Sequence, residues 1–365
     1  MKRRTFLHCG CAALLGTPVF AAVRQEQVET AADTLARAVA DGQVSAAVLY
    51  VAQRDEVFSR AYGLAKRPNA VFLLASISKP ICITALMTLF DRGEFQLDDP
   101  LKKFIPAFTG NGRDHVTMRH LLTHVSGLPD QLPENDALRK SHAPLSEFVA
   151  RAIRTPLHFA PGSRYEYSSM AILLAAHVAE LISGGELSSL LEHAVFQPLG
   201  MQDSAQGLGR FAITDVMPVQ TEHAARESGG GDPQAKDWDW NSPYWRKLGA
   251  PWGGTHGSAE DVARFLAEFL GEEGRVLKPA TARLMVTNHN PPGIKPRGLA
   301  MDLGSSLGGP GCSEQTFGHS GSTGTLAWAD PTTHMICVVL TTLPARAVRP
   351  HPREIASAHV AAAMR

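Results

Sequence analysis

The feature that most constrains the fold is an apolar run from Ile81 to Phe90, directly after Lys79-Pro80. Few polar residues interrupt it, so a helix formed here is buried nearly all round. Proline is tolerated only in the first turn of a helix, where its missing N–H breaks no helical hydrogen bond. The run therefore predicts a core helix that starts just before Pro80 and ends near Gly93.

The start of this helix also brings a serine and a lysine together. Ser76 and Lys79 are three residues apart and share one helical face, so the hydroxyl and the amine can touch. A serine hydroxyl is a poor nucleophile at neutral pH, and lysine becomes a base when desolvation or a neighbouring cation lowers its pKa. The alternative is an unreactive surface pair, because a Ser-x-x-Lys tetrapeptide is common by chance.

Composition narrows the class of protein. The chain has 365 residues, of which 44% are hydrophobic, and its 35 basic residues balance its 35 acidic ones. This length supports one large or two ordinary domains with substantial cores. Without a basic excess, a nucleic-acid partner is not expected, and no obligate protein partner is implied. A small-molecule substrate fits this composition.

The amino terminus predicts an export signal over residues 1–21. Lys2-Arg3-Arg4 precede an apolar, small-residue stretch, and Val19-Phe20-Ala21 offers a cleavage site. Arg3-Arg4-Thr5-Phe6-Leu7 resembles a bacterial twin-arginine signal, which predicts a periplasmic or secreted protein. The alternative is an uncleaved membrane anchor, although this apolar stretch is short and broken. After signal removal, no stable membrane insertion is expected.

Cysteine and histidine residues predict neither a disulfide framework nor a metal site. The mature chain keeps three cysteines, and Cys82 and Cys337 lie in apolar runs typical of the core. A disulfide between Cys312 and Cys337 is the alternative. His120 and His124 share a helical face without a third ligand, which favours capping or packing over zinc.

Residue periodicity predicts strands near both ends of the chain and helices between them. The expected strands are Ser45–Val51, Val57–Leu64, Leu299–Leu303, Thr325–Asp330 and His334–Thr342. The clearest helices are Val28–Val39, Met118–Thr123, Leu145–Arg154, Ser169–Ile182, Glu186–Phe196, Ser258–Leu270 and Arg353–Met364.

These elements predict an α+β fold, with one antiparallel sheet built from both termini and flanked by helices. Residues 22–98 and 255–365 form the sheet region, and 99–254 form a mainly helical insertion in one catalytic domain. No convincing strand is expected between Pro100 and about residue 290. The segment Arg226–Gly254 combines glycines with tryptophans, which suits either a pocket wall or lid, or a staple for a long loop.

A second serine lies in a motif that must be tested. Gly304-Ser305-Ser306-Leu307-Gly308 matches the Gly-x-Ser-x-Gly nucleophile elbow, which requires a strand before it and a helix directly after. Gly308-Gly309-Pro310-Gly311 cannot continue a helix. Ser306 is therefore expected to be a loop residue.

Seven stretches, in order, carry a resemblance to a known family. They are Leu74–Lys79, Leu97–Pro100, His120–Pro129, Pro161–Ser169, Pro198–Met201, Gly253–Asp261 and Gly318–Thr325. Together they resemble the serine β-lactamase and penicillin-binding superfamily, most closely the class C-like hydrolases that include family VIII esterases and D-alanyl-D-alanine carboxypeptidases. The resemblance covers roughly residues 30 to 345 and implies a β-lactamase-like fold with neither a metal nor an organic cofactor.

The resemblance implies a role for each matched residue. Ser76 would be the nucleophile and Lys79 its proton-accepting neighbour. Tyr167 matches the tyrosine of the Tyr-x-Asn motif and would act as a phenolate-like base, which requires a pKa lowered by positive charge. The backbone N–H groups of Ser76 and Ser322 would form the oxyanion hole. His319-Ser320-Gly321 takes the place of the third motif on a strand edge that contacts the substrate.

Two departures from the family pattern limit the choice of substrate. Ser169 stands where the family often has asparagine, which weakens recognition of amides. His319 replaces a lysine and, with an ordinary pKa of ~6.5, would be mostly neutral at pH 7. Both changes favour carboxylic esters. The alternatives are D-alanyl peptide cleavage, weak β-lactam hydrolysis, or a non-catalytic binding module that keeps the pocket.

Overall fold

The computed structural model describes residues 17–271 and 273–364. Its strands are β1 (Ala46–Gln53), β2 (Glu56–Gly63), β3 (Phe72–Leu73), β4 (Ala205–Gln206), β5 (Thr255–Gly257), β6 (Asp302–Leu303), β7 (Phe317–Gly321), β8 (Thr325–Asp330) and β9 (Met335–Thr341). Six of them form one antiparallel sheet in the order β2-β1-β9-β8-β7-β6. This sheet joins strands from both parts of the chain, so the predicted α+β fold is confirmed.

Helices cover both faces of the sheet and fill most of the chain between β3 and β5. They are α1 (Thr17–Ala40), α2 (Ser78–Asp91), α3 (Met118–Leu122), α4 (Asn135–Lys140), α5 (Leu145–Arg154), α6 (Ser169–Ser183), α7 (Leu187–Leu191), α8 (Gln197–Leu199), α9 (Pro243–Leu248), α10 (Ala259–Ala267), α11 (Pro279–Met285) and α12 (Pro352–Ala362). A π-helical turn over Glu192–Phe196 connects α7 to α8.

Side-chain alternation along β1 divides the core into two clusters. Ala47 and Leu49 point toward the terminal helices α1 and α12, while Ala46 and Val48 point toward the opposite face. That opposite face carries the larger cluster, which includes α2, α6 and α10. The catalytic candidate on α2, Lys79, therefore lies on the side of the sheet away from the two terminal helices.

The apolar run from Ile81 folds as predicted. Its helix α2 begins at Ser78, so Pro80 lies in the first turn, where no helical hydrogen bond is lost. Most of its residues are buried, and it packs against α6. A short 3₁₀ turn over Ala75–Ile77 precedes the helix and carries Ser76.

Two strand predictions were wrong. A small sheet in the order β3-β5-β4 includes strands within the stretch where none was expected, because strands of two or three residues are too short to show alternation. The expected strand Leu299–Leu303 pairs only at Asp302–Leu303. Leu299 N–H instead donates to Met285 O, and Ala300 N–H to Leu122 O, so both backbone groups bond to the helical region rather than to the sheet.

The predicted export signal falls mainly on residues 1–16, which lie outside the described residues. Among the helices of residues 17–271 and 273–364, none is both long and apolar enough to span a membrane by itself. The bent pair Ser169–Ser183 and Leu187–Leu199 reaches the required length and composition only when its two parts are taken together.

Candidate active site

The predicted serine and lysine are in hydrogen-bond contact. Lys79 Nζ lies 3.0 Å from Ser76 Oγ, one turn along the chain. Ala75, just before Ser76, has a positive φ of 50°, a backbone conformation that residues other than glycine rarely adopt. Such strain is concentrated at functional sites, because the surrounding structure must hold it in place.

The Lys79 side chain is 1% exposed. Its Nζ also donates to the backbone oxygen of Trp252 at 2.8 Å. Burial lowers the pKa of Lys79 to about 7, while the negative charge of Asp130 acts in the opposite direction. A substantial fraction of the amine is therefore neutral at neutral pH and can accept a proton from Ser76.

Tyr167 lies beside this pair but does not have the protonation state expected of it. Lys79 Nζ is 4.8 Å from the centre of the Tyr167 ring, and the His124 ring packs against the same tyrosine with the ring centres 4.6 Å apart. Burial raises the pKa of Tyr167, although the nearby Arg297 guanidinium pulls it down. The requirement for a lowered pKa is thus not met, and Tyr167 is a neutral phenol here.

The end of strand β7 packs directly against the turn that carries Ser76. Thr325 Oγ1 donates to Leu74 O at 2.9 Å, and Thr323 Oγ1 donates to Leu73 O at 2.7 Å. A Cβ placed on Gly321 would lie only 2.5 Å from Leu74 O, so glycine allows this close approach. Ser322 follows Gly321, and it lines the same cavity as Ser76.

Ser169 lines the cavity, but its hydroxyl already has a partner. Its Oγ donates to Asp130 Oδ1 at 2.6 Å, and its backbone N–H donates to the same oxygen at 2.9 Å. Asp130 therefore fixes the Ser169 side chain at the start of α6. Sequence reasoning missed Asp130, although it directly follows the matching stretch that ends at Pro129.

His319 is a neutral hydrogen-bond acceptor in this site. Its Nδ1 lies 2.7 Å from Ser320 O, which identifies Nδ1 as the protonated nitrogen, and Nε2 accepts from Arg297 Nη2 at 2.9 Å. Tyr167 Oη is 3.4 Å from the same Nε2. Burial lowers the pKa of His319 to about 3, well below the expected value, although Asp302 favours the charged form.

Arg297 is the second residue that sequence reasoning missed. Its side chain is fully buried, its Nη1 is ion-paired with Asp302, and its guanidinium lies 5.6 Å from the Tyr167 ring centre. His319 stands where the family pattern has a lysine, and the positive charge of Arg297 lies directly against it. Because Arg297 is buried and paired, this charge does not face the cavity as a free lysine would.

The predicted site residues line one cavity of about 460 Å³. Its lining includes Ser76, Lys79, Tyr167, Ser169, His319, Ser320, Gly321 and Ser322. Trp240, Trp245 and Trp252 are all less than 6% exposed and form part of the lining, which favours the pocket-wall interpretation of the segment Arg226–Gly254. Ser306 lies in a 3₁₀ turn, Ser305–Leu307, outside this lining, as expected for a loop residue.

The histidines near α3 have structural contacts. His120 Nδ1 accepts the Thr117 N–H and completes the cap of α3, whereas the buried His124 accepts the Ser168 N–H at 3.2 Å. Within residues 17–271 and 273–364, no group of three or more His, Cys, Asp or Glu side chains could hold a metal ion. Cys82, Cys312 and Cys337 are free thiols.

A serine in contact with a buried lysine, in a cavity at the edge of an antiparallel sheet, is the arrangement of a serine hydrolase. The chain belongs to the Beta-lactamase family, whose sequence profile matches residues 31–362. The predicted family is therefore confirmed.

Individual relatives include both esterases and peptidases. The chain is 36% identical over 190 residues to the esterase EstB of Burkholderia gladioli, a match that spans 46% of this chain and 48% of that protein. It is 24% identical over 344 residues to a putative D-alanyl-D-alanine carboxypeptidase of Escherichia coli (strain K12), covering 83% of this chain and 79% of that one. The match to EstB thus spans about half of that relative's length.

A solved structure supports the fold. A penicillin-binding protein homologue from Caulobacter crescentus superposes with a TM-score of 0.76 at 21% identity, covering 95% of this chain and 98% of that one. At this identity the likeness establishes the fold alone.

Proposed function

We propose that this enzyme hydrolyses carboxylic esters through an acyl-enzyme on Ser76. The observation that carries the proposal is the 3.0 Å contact between Ser76 Oγ and the buried Lys79 Nζ. Neutral Lys79 takes the hydroxyl proton while Ser76 Oγ attacks the ester carbonyl carbon. The negative charge that forms on the carbonyl oxygen is stabilised by the backbone N–H groups of Ser76 and Ser322.

Collapse of this tetrahedral intermediate breaks the bond to the alcohol. The leaving oxygen takes a proton from the Lys79 ammonium, and the neutral Tyr167 phenol beside it donates a hydrogen bond to that oxygen. Water then attacks the acyl carbonyl, its proton passes to Lys79, and Ser76 regains a proton as the acid leaves. Lys79 is thus the general base and acid, and Tyr167 assists as a hydrogen-bond donor.

Two side chains support esters over amides. The Ser169 hydroxyl donates to Asp130 and replaces the asparagine whose amide reaches a substrate amide in the family pattern. His319 presents no charge to the cavity, so a substrate carboxylate gains no salt bridge there. EstB, the relative matched at 36% identity, is named an esterase.

The second candidate is amide chemistry at the same serine, either D-alanyl peptide cleavage or weak β-lactam hydrolysis. It is supported by the putative carboxypeptidase, which matches 83% of this chain. A third candidate, from another class, is a binding module without turnover, motivated by the occupied Ser169 hydroxyl. Each of the three gives a different pattern of rates.

Side-by-side kinetics separate the three candidates. We expect a short-chain nitrophenyl ester to be turned over faster than a chromogenic cephalosporin or a D-alanyl-D-alanine peptide, with all turnover lost in Ser76→Ala. Faster cephalosporin or peptide turnover would replace the ester proposal with the second candidate. Labelling of Ser76 by a fluorophosphonate without turnover of any substrate would favour the binding module.

We also propose that the protein is exported and acts on small-molecule ester or peptide-like substrates. Arg3-Arg4 and the following apolar stretch support export through the twin-arginine route. Replacing both arginines by lysine should retain the protein in the cytoplasm, as measured by cell fractionation and amino-terminal sequencing of the recovered chain. An unchanged distribution would remove the twin-arginine assignment.

A further inference from the structure

A buried arginine lines the same cavity as the catalytic pair. Arg139 lies on α4 and is 2% exposed. Its Nη1 donates to the backbone oxygen of Glu227 at 2.7 Å. Its Nε and Nη2 are buried and have no hydrogen-bond partner among the described residues.

The charge of this arginine is also unpaired. No carboxylate in the described part of the chain lies within 4 Å of the Arg139 guanidinium, although a buried cation ordinarily requires a partner. Burial lowers the pKa of Arg139 to about 10, so it remains protonated at neutral pH. Two guanidinium nitrogens are therefore left without a hydrogen-bond partner beside the cavity, and Asp136, Asp239 and Glu227 act on the charge only from beyond salt-bridge distance.

Tryptophan rings pack against the guanidinium and connect it to the catalytic end. The guanidinium carbon lies 3.9 Å from the centre of the Trp245 ring, which is a cation–π contact. The Trp245 and Trp252 rings are 6.2 Å apart, and Trp252 O accepts the Lys79 hydrogen bond. An apolar aromatic surface thus extends between Lys79 and Arg139.

We propose that this surface and Arg139 form a subsite for an acyl chain that ends in a carboxylate. The aromatic rings contact the apolar part of the chain, and Nε and Nη2 of Arg139 donate to the two carboxylate oxygens. The guanidinium ends an unbranched side chain, so rotation about its last dihedral angles turns an N–H toward the cavity without moving α4. The inference rests on the ester hydrolase function proposed above and names its substrate class, a monoester of a dicarboxylic acid.

A second buried arginine lies outside the cavity and provides a control. Arg246 on α9 is 1% exposed and also has two unpartnered nitrogens, Nε and Nη1, but it does not line the cavity. Arg246→Met therefore removes a buried guanidinium of the same kind from outside the subsite. It serves as the matched control for Arg139→Met.

The test compares monoethyl adipate with ethyl heptanoate, an apolar ester of similar length. We expect wild-type kcat/KM to favour the adipate by about 10- to 100-fold, the range of a charge-assisted hydrogen bond to a buried group. This ratio should fall to about 1 in Arg139→Met and stay at the wild-type value in Arg246→Met. A wild-type ratio near 1, or a ratio that survives in Arg139→Met, overturns the proposal.

Binding to an inactive variant separates this proposal from the catalytic one. Adipate should quench the tryptophan fluorescence of Ser76→Ala saturably, and 1-hexanol, which has the same chain length but no carboxylate, should bind at least tenfold more weakly. This result would stand even if Ser76 were not the nucleophile, and it needs no folded Arg139 variant. Equal binding of adipate and 1-hexanol to Ser76→Ala removes the subsite while leaving the ester hydrolase proposal intact.

Discussion

At neutral pH the Lys79 side chain is divided between its charged and neutral forms, because burial lowers its pKa to about 7. The protonation states of its neighbours do not change in that range. Burial keeps Tyr167 protonated and lowers the pKa of His319 to about 3, so His319 is already neutral. Of these three side chains, Lys79 alone therefore changes its charge near neutrality.

The pH profile of ester hydrolysis tests this assignment. Because the neutral amine is the base, kcat/KM should rise about tenfold per pH unit below pH 7 and level off above it. If His319 had the ordinary histidine pKa of about 6.5, the profile would bend a second time near that pH, which we do not expect. A rate that falls as the pH rises through 7 would contradict Lys79 as the base.

The sequence reveals contacts between residues a few positions apart but not contacts between distant residues. Ser76 and Lys79 were found because their three-residue spacing itself creates the contact. Arg297 and Asp130 were missed because their roles depend on partners that folding brings near, 22 residues away for His319 and 39 for Ser169. The pKa of Tyr167 could not be judged from its motif, because it is raised by burial that only the folded chain creates.

At the scale of elements, the site depends on how strand β7 meets the turn before α2. Most long elements were predictable, because Leu145–Arg154 and Thr325–Asp330 show clear helical and strand patterns. Strand β7 was placed only by resemblance, since Gly318 and Gly321 interrupt any alternation. The position of β7 depends instead on the close approach of Gly321 to Leu74, which periodicity does not reveal.

Gly321→Ala tests this contact. The added Cβ would lie 2.5 Å from Leu74 O and 3.1 Å from Ala75 Cβ, so the strand or the turn must shift. We expect about 1–3 kcal/mol less unfolding free energy and about 100-fold lower kcat/KM, since small displacements of catalytic groups are costly. Gly185→Ala, where nothing lies within 4 Å of the new Cβ, is the control. Wild-type kinetics in Gly321→Ala would show that the approach is not needed.

At the scale of the whole molecule, the terminal helices and the catalytic lysine lie on opposite faces of the main sheet. The terminal helices α1 and α12 pack on one face around Trp328, whose Nε1 donates to Ser357 Oγ at 2.8 Å. The catalytic end of the cavity lies on the other side, with α2, and from α12 only Arg353 reaches the lining among the described residues. This division was only partly predictable, because a sequence shows that strands at both ends can pair but not their order.

Trp328→Ala should therefore destabilise the protein without disturbing the site. Loss of a fully buried tryptophan should lower the unfolding free energy by about 3–5 kcal/mol in denaturant titration. Leu181→Ala, at a side chain that is 50% exposed, should cost far less. Under conditions where Trp328→Ala is folded, kcat per folded molecule should match the wild type, and a large drop would show that the two faces are coupled.

The most direct test of the central claim is to trap the acyl-enzyme. Wild-type protein is mixed with an excess of nitrophenyl butyrate, quenched in acid during turnover, digested and mapped by mass spectrometry. The account predicts a butyryl group on the peptide that contains Ser76, and neither this group nor turnover in Ser76→Ala. A butyryl group on another residue, or turnover that persists in Ser76→Ala, would contradict it.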